Sequence, residues 1–138
     1  MTFACVGEGP FLAELKKKMH EGIFTGVLHG ADLSKAYASA DLFVFPSTTD
    51  TYGNVVVEAM ASGLPVIVSN QGGPGELLRD EWDGEVAATG DVAAWVNAVE
   101  RQILRGENSN SREERRERTI AGRSWQDAFT SFWRDGLL

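Results

Sequence analysis

The chain has 138 residues, about one domain's worth, with 43% apolar and 24% charged side chains, as in ordinary globular domains. Its 13 Lys and Arg against 20 Asp and Glu give a net charge of −7, which excludes a general nucleic-acid binder working through a basic surface. One cysteine excludes an internal disulfide and a multi-cysteine zinc site, and the longest purely apolar run, five residues from Val92 to Val96, is far short of the ~20 that a membrane helix needs; with no basic-then-apolar leader, a cytoplasmic chain is expected.

Residues 2–6 read as a strand closed by Gly7-Glu8-Gly9-Pro10. Phe11, Leu12, Leu15 and Met19 follow helical spacing, with Lys16, Lys17 and Lys18 on a solvated face. Residues 23–28 read as a second strand. Asp32 is placed to cap a helix carrying Leu33, Ala36, Tyr37 and Ala40. The run Leu42-Phe43-Val44-Phe45 predicts a central parallel strand buried on both faces. Val55-Val56-Val57 has strand propensity, but Glu58-Ala59-Met60-Ala61 favours helix and Gly63 with Pro65 stops one. The expectation is a helix over 54–62 with Asn54 as its cap, then a buried strand over 65–69. Strand, helix, strand is a βαβ unit of the usual right hand.

Residues 71–75 form a loop opening a short helix near 76–78, and 85–88 form a short edge strand. Asp91 caps a helix that places Val92, Trp95, Val96, Val99 and Ile103 on one face and ends at Gly106. Ser111 with Glu114 has capping-box spacing, and the charged stretch 112–118 it starts reads as a solvated face. Trp125, Ala128, Phe129, Phe132 and Trp133 form an apolar stripe on a last helix. The class is therefore α/β, a Rossmann-like three-layer domain with a mainly parallel sheet. Ligands of such sheets bind beyond the carboxyl ends of the strands, which points to the loops 7–10, 27–32, 46–54 and 69–75.

Among these, 46–54 (Pro-Ser-Thr-Thr-Asp-Thr-Tyr-Gly-Asn) leaves a buried strand, carries Asp50 and enters a helix through Gly53 and Asn54. A helix start offers unpaired N–H groups and a partial positive charge, which favour a phosphate. Glu58 follows about 6 Å further along the axis, where a ribose attached to that phosphate would lie. A carboxylate can accept from two hydroxyls, each charged hydrogen bond contributing roughly 1.5–3 kcal/mol. The plainer alternative makes Glu58 a solvent-facing helix residue and Asp50 a turn former.

The segment resembles the C-terminal domain of GT-B glycosyltransferases, in particular the large retaining family 4-like group. Asp41 to Ser47 resembles that family's Asp-apolar-Pro-Ser strand, and Asp50 to Glu58 its pair of acids separated by seven residues. Residues 58–66, Gly72-Gly73-Pro74 with Glu76, residues 6–10, Phe24-Thr25-Gly26 and Ser124-Trp125 also fit, in order. The resemblance implies a nucleotide-sugar donor site. Glu58 would hold the ribose hydroxyls and Asp50 hydroxyls of the transferred sugar. Backbone N–H groups of Thr51, Tyr52, Gly53 and Asn54 would face sugar and diphosphate. The base would rest near Val27, with Gly72 and Gly73 close to the donor. The donor would be UDP- or GDP-linked, the acceptor a glycan or lipid as in polysaccharide biosynthesis, and transfer would proceed with retention, without a metal or other cofactor. Asp50 stands where the family more often has Glu.

No Lys or Arg lies between Lys35 and Arg79, so the proposed donor loop has carboxylates and dipoles but no cation. The family places an Arg, a Lys and an acceptor-binding domain ahead of the region matching Met1. The expectation is thus a partial C-terminal domain over 1–138, binding nucleotide sugars weakly and transferring none alone. Membrane contact, if peripheral, would come only through parts outside it, and uncovered apolar surface would favour self-association. His20 and His29 have no partner at metal or triad spacing, and Cys5 reads as a buried strand residue. Residues 7–12 are no dinucleotide fingerprint, because Leu12 stands where the last glycine belongs. Two further readings compete: a non-catalytic nucleotide or phosphosugar binding module of the same fold, and a receiver-type domain, which the lack of clustered acids around residues 2–9 disfavours.

Overall fold

The computed structural model describes residues 1–106 and 109–121, with the side chains of 109 and 110 excepted. The Trp125–Trp133 stripe and Ser124 lie outside the described residues. The chain divides into two compact units, Met1–Ala38 and Ser39–Leu138.

In the first unit β1 (Ala4–Val6) pairs in parallel with β2 (Ile23–Gly26), joined through α1 (Leu12–Lys18). Gly7 closes the pair by donating to the Gly26 carbonyl at 2.8 Å. The three lysines of α1 are exposed as expected; Lys18 pairs with Glu14 at 2.7 Å and Lys16 sits over the Phe24 ring. None of these elements buries a residue fully, and Cys5 is half-buried rather than buried. The last helix here, α2 (Gly30–Ser39), starts two residues before the expected cap. Asp32 is consequently a first-turn residue, paired with Lys35 at 3.2 Å, and the His29 carbonyl accepts from its N–H.

In the second unit β3 (Phe43–Phe45), β4 (Val66–Ser69) and β5 (Gly84–Ala87) form a parallel sheet in that order. The expectation of a doubly buried strand at 42–45 is corrected here. β4 is the central strand, with every residue buried, while β3 lies at the sheet's edge with Val44 exposed. Apolar continuity alone does not distinguish the two, since Phe43 and Phe45 instead stack their rings 6.1 Å apart on one side.

α3 (Asn54–Ala61) links β3 to β4, packs on both and buries Val56, Ala59 and Met60. Helix-forming residues and the Gly63-Leu64-Pro65 stop override the strand propensity of the three valines. α4 (Val92–Arg105) packs on β4 and β5. Ile67, Ala87 and Ala98 form a core with Leu42, Trp95 and Val99. Val66 and Val68 project to the opposite face, as the two-residue period of a strand requires. Asp91 caps α4 by accepting from the Ala94 N–H at 3.0 Å. The inward stripe of α4 is Ala98 and Gln102, buried, with Trp95 and Val99 half-buried; Val92, Val96 and Ile103, expected on it, are exposed.

The largest departure is α5 (Ser109–Ile120). It begins two residues before the predicted capping box, so Ser111 lies inside it. Its charged stretch is not a free face: Arg115 is only 6% exposed and donates to the carbonyls of Trp82 and Gly63 at 2.8 and 2.6 Å. Arg112 donates to the Ala40 carbonyl and Arg118 pairs with Asp80 at 2.7 Å. A helix of very low hydrophobicity is thus held by guanidinium forks satisfying loop carbonyls.

Candidate functional site

The loop between β3 and α3 leaves the carboxyl end of the sheet and is ordered by its own acid. Asp50 Oδ1 accepts from the Tyr52 N–H at 3.0 Å and the Gly53 N–H at 2.6 Å. Gly53, with φ of 78°, is the residue before the helix, so the predicted capping role of Asn54 is corrected: Asn54 is the first helical residue. Two N–H groups expected to face a ligand, those of Tyr52 and Gly53, are therefore taken up by the Asp50 carboxylate. Asp50 Oδ2 makes no protein hydrogen bond among the described residues. Thr51, Tyr52 and Asn54 are exposed.

The second loop at this end follows β4. Gly73 donates to the Asp50 carbonyl at 3.0 Å. A Cβ on Gly73 would stand 1.9 Å from the Thr51 carbonyl oxygen, and one on Gly72, whose φ is +87°, would stand 2.7 Å from that of Asp50. The glycines at 72 and 73 thus allow backbone-on-backbone contact with the Asp50 loop. Glu58 lies one turn beyond Asn54 on the exposed face of α3, opposite the buried Val56, Ala59 and Met60. Asp50, Thr51, Tyr52, Gly53, Asn54, Glu58, Gly72 and Gly73 all belong to the second unit; Val27 belongs to the first, exposed just after β2.

Charge is distributed unevenly over the second unit. The arginine side-chain bonds seen there lie toward the amino ends of the strands: Arg105 on Glu81, Arg112 on Ala40, Arg115 on Trp82 and Gly63, Arg118 on Asp80, and Arg101 on Glu85, the second residue of β5. A concavity of about 170 Å³, lined by Trp82, Ser111, Glu114, Arg115 and Arg118, lies at that end. The carboxyl end carries Asp50, Glu58 and Glu76 with no lysine or arginine between residues 35 and 79. Among the described residues no cluster of three His, Cys, Asp or Glu side chains is placed to hold a metal ion, and no helix is long and apolar enough to cross a membrane.

A parallel α/β sheet whose loops gather beyond the carboxyl ends of its strands belongs to the class of folds that bind their ligands at that end. Residues 1–104 match the family described as glycosyl transferases group 1, and the chain belongs to that family. It is 44% identical over 84 residues to a sulfoquinovosyl transferase of Arabidopsis thaliana, covering 59% of this chain and 16% of that protein. It is 36% identical over 128 residues to a GDP-mannose-dependent alpha-mannosyltransferase of Mycobacterium tuberculosis, covering 87% of this chain and 31% of that protein. The chain thus spans less than a third of the length of either relative. Among solved structures, Anabaena HepE in complex with UDP superimposes with a TM-score of 0.75 at 23% identity, over 99% of this chain and 41% of that one. The same protein with UDP-glucose gives 0.68 at 25% identity, over 94% and 36%. The Rossmann-like α/β fold of a GT-B glycosyltransferase C-terminal domain is the one found.

Proposed function

We propose that the chain provides the donor half of a retaining, metal-independent glycosyltransferase, binding a nucleotide-diphosphate sugar over the carboxyl ends of β3 and β4. The observation that carries this reading is the shared exposed face of α3. Asn54 and Glu58 stand there one turn apart, beside a loop folded around Asp50. Diphosphate sits at the helix mouth, where the dipole contributes about half a positive charge. Glu58 accepts from the ribose hydroxyls. Asp50 keeps Oδ1 on its own loop and turns Oδ2 to a sugar hydroxyl. Charge developing on the leaving diphosphate is met by backbone dipoles.

The donor is UDP- or GDP-linked: HepE was solved with UDP and UDP-glucose, and the mycobacterial relative is GDP-mannose-dependent. The acceptor is a glycan or lipid. Because the donor loop has no cation of its own, the 138-residue chain binds these donors weakly and transfers no sugar by itself.

Calorimetric titration of UDP, GDP, ADP, their sugars and a free sugar phosphate into the chain tests the reading. The expected order places a nucleotide sugar first and the free sugar phosphate last. Equal binding of the free sugar phosphate favours a phosphosugar module of the same fold instead. Robust turnover by the chain alone contradicts the weak-donor account.

A further inference from the structure

The carboxyl ends of β4 and β5 are tied together by a closed set of polar contacts that the donor reading does not use. Ser69, the last residue of β4, is a polar side chain only 1% exposed. Its hydroxyl lies 2.7 Å from that of Thr89 and accepts from the Gln71 N–H at 3.0 Å. Asn70 Oδ1 accepts from both the N–H of Thr89, at 2.9 Å, and its hydroxyl, at 3.0 Å. The Asn70 N–H donates to the Ala87 carbonyl at 2.9 Å, continuing the β4–β5 ladder.

Proton counting fixes the direction of this set. Asn70 Oδ1 is an acceptor only, so the single hydroxyl hydrogen of Thr89 goes to it. Ser69 must then donate to Thr89. The order is Gln71 N–H to Ser69, Ser69 to Thr89, Thr89 to Asn70, each hydroxyl accepting once and donating once. Such aligned chains reinforce one another. Their near end holds Gln71, which leads through the left-handed Gly72 to Gly73. Gly73 in turn holds the Asp50 carbonyl and touches Thr51 too closely for any side chain.

We propose that Ser69, Asn70 and Thr89 form a positioning clamp for the donor loop, fixing where Asp50 stands by way of Gln71 and Gly73. The inference rests on the donor reading for its purpose. The contacts that carry it are independent of that reading.

The test uses Thr89→Val, which removes the hydroxyl at nearly constant volume, and Thr89→Ser, which restores it. Asn70→Ala, at an exposed side chain, gives a second route should Thr89→Val fail to fold. Amide hydrogen exchange is read on the whole 138-residue chain without ligand, with UDP-glucose and UDP titrated alongside. In Thr89→Val and Asn70→Ala the Gly73 and Gly53 amides are expected to exchange about tenfold faster, roughly the factor set by loss of one hydrogen bond to a polar network. UDP-glucose weakens by a similar factor and UDP by less. Thr89→Ser stays within about twofold of wild type in each. Unchanged exchange at Gly73 and Gly53 in a folded variant overturns the clamp, as does equal acceleration along the whole of β4 and β5, the mark of a purely structural role. If wild type binds neither UDP-glucose nor any other nucleotide sugar, the donor reading fails, while the exchange pattern still decides whether the clamp holds the loop.

Discussion

At the scale of single residues, Asp50 commits one carboxylate oxygen to its own loop. Oδ1 satisfies two backbone donors that a helix entrance would otherwise leave to water. An asparagine retains that acceptor and an alanine does not. Asp50→Ala is therefore expected to cost about 1 kcal/mol of stability, and Asp50→Asn less than about 0.5 kcal/mol. Thermal unfolding measures both. On the proposed function, both lose affinity for nucleotide sugar relative to bare nucleotide, since the asparagine lacks the charge that the sugar hydroxyls meet. Arg115 is the second informative residue. Its guanidinium is buried on two loop carbonyls. Arg115→Met fills the space but strands both acceptors, and unfolding should show a loss of about 3 kcal/mol. A loss under about 1 kcal/mol would mean that water or relaxation satisfies them.

At the scale of elements, the two loops at the carboxyl ends behave as one body because their backbones touch. Gly73→Ala places a methyl group 1.9 Å from the Thr51 oxygen, which no rotamer relieves. The loops must part, and the variant is expected to lose the Gly73–Asp50 bond together with donor binding while the β4–β5 pairing survives. Hydrogen exchange of the Gly73 amide against those of Val68 and Ala87 checks this. The same elements show what the sequence made legible. The βαβ order, the helix over 54–61, the buried strand at 66–69 and the Asp91 cap follow from local pattern, because propensity, capping and stop residues agree there. Three features did not follow. The edge position of β3 depends on strand order, which apolar continuity does not encode. The anchoring of α5 depends on loop carbonyls up to 72 residues away in the chain, so its arginines look solvated in isolation. The Ser69–Thr89 contact exists only once β4 and β5 are paired. At the candidate site, the placement of Asp50 in the loop and of Glu58 one turn into the helix was legible, whereas the capture of the Tyr52 and Gly53 N–H groups by Asp50 was not, since the same residue types suit a ligand or a turn.

For the whole molecule, the arginine-rich end of the second unit and the acidic carboxyl end have different consequences. Asp80 is held below its ordinary value of 3.8, mainly by its hydrogen bond from Arg118, against opposing burial. For Glu85 burial is the largest single influence and pushes upward, but the bonds from Arg101 and Gln102 together outweigh it and hold the group below 4.5. Folded values below unfolded ones mean that the unfolded chain binds protons more readily. The contribution is complete above the ordinary carboxylate range and is lost as pH falls through the depressed folded values. Denaturant midpoints are expected to be level above about pH 6 and to fall below about pH 4.5. Arg101→Gln should flatten that fall, though only in part, because Gln102 still donates to Glu85 and Arg118 still holds Asp80. The first unit buries no side chain fully and exposes Phe3, Val6, Phe11 and Ile23. Concentration-dependent association on sizing chromatography is the expected consequence, and a single monomer peak at high concentration would count against it.

The donor account stands or falls on the acid one turn into α3. Titration of UDP and GDP into wild type and Glu58→Ala, with matched unfolding curves, measures it most directly. The account predicts at least a tenfold loss of nucleotide affinity in the variant, about the effect of one charged hydrogen bond, in a protein that the unfolding curves show to be folded at the titration temperature. Equal affinity in the two proteins would contradict it.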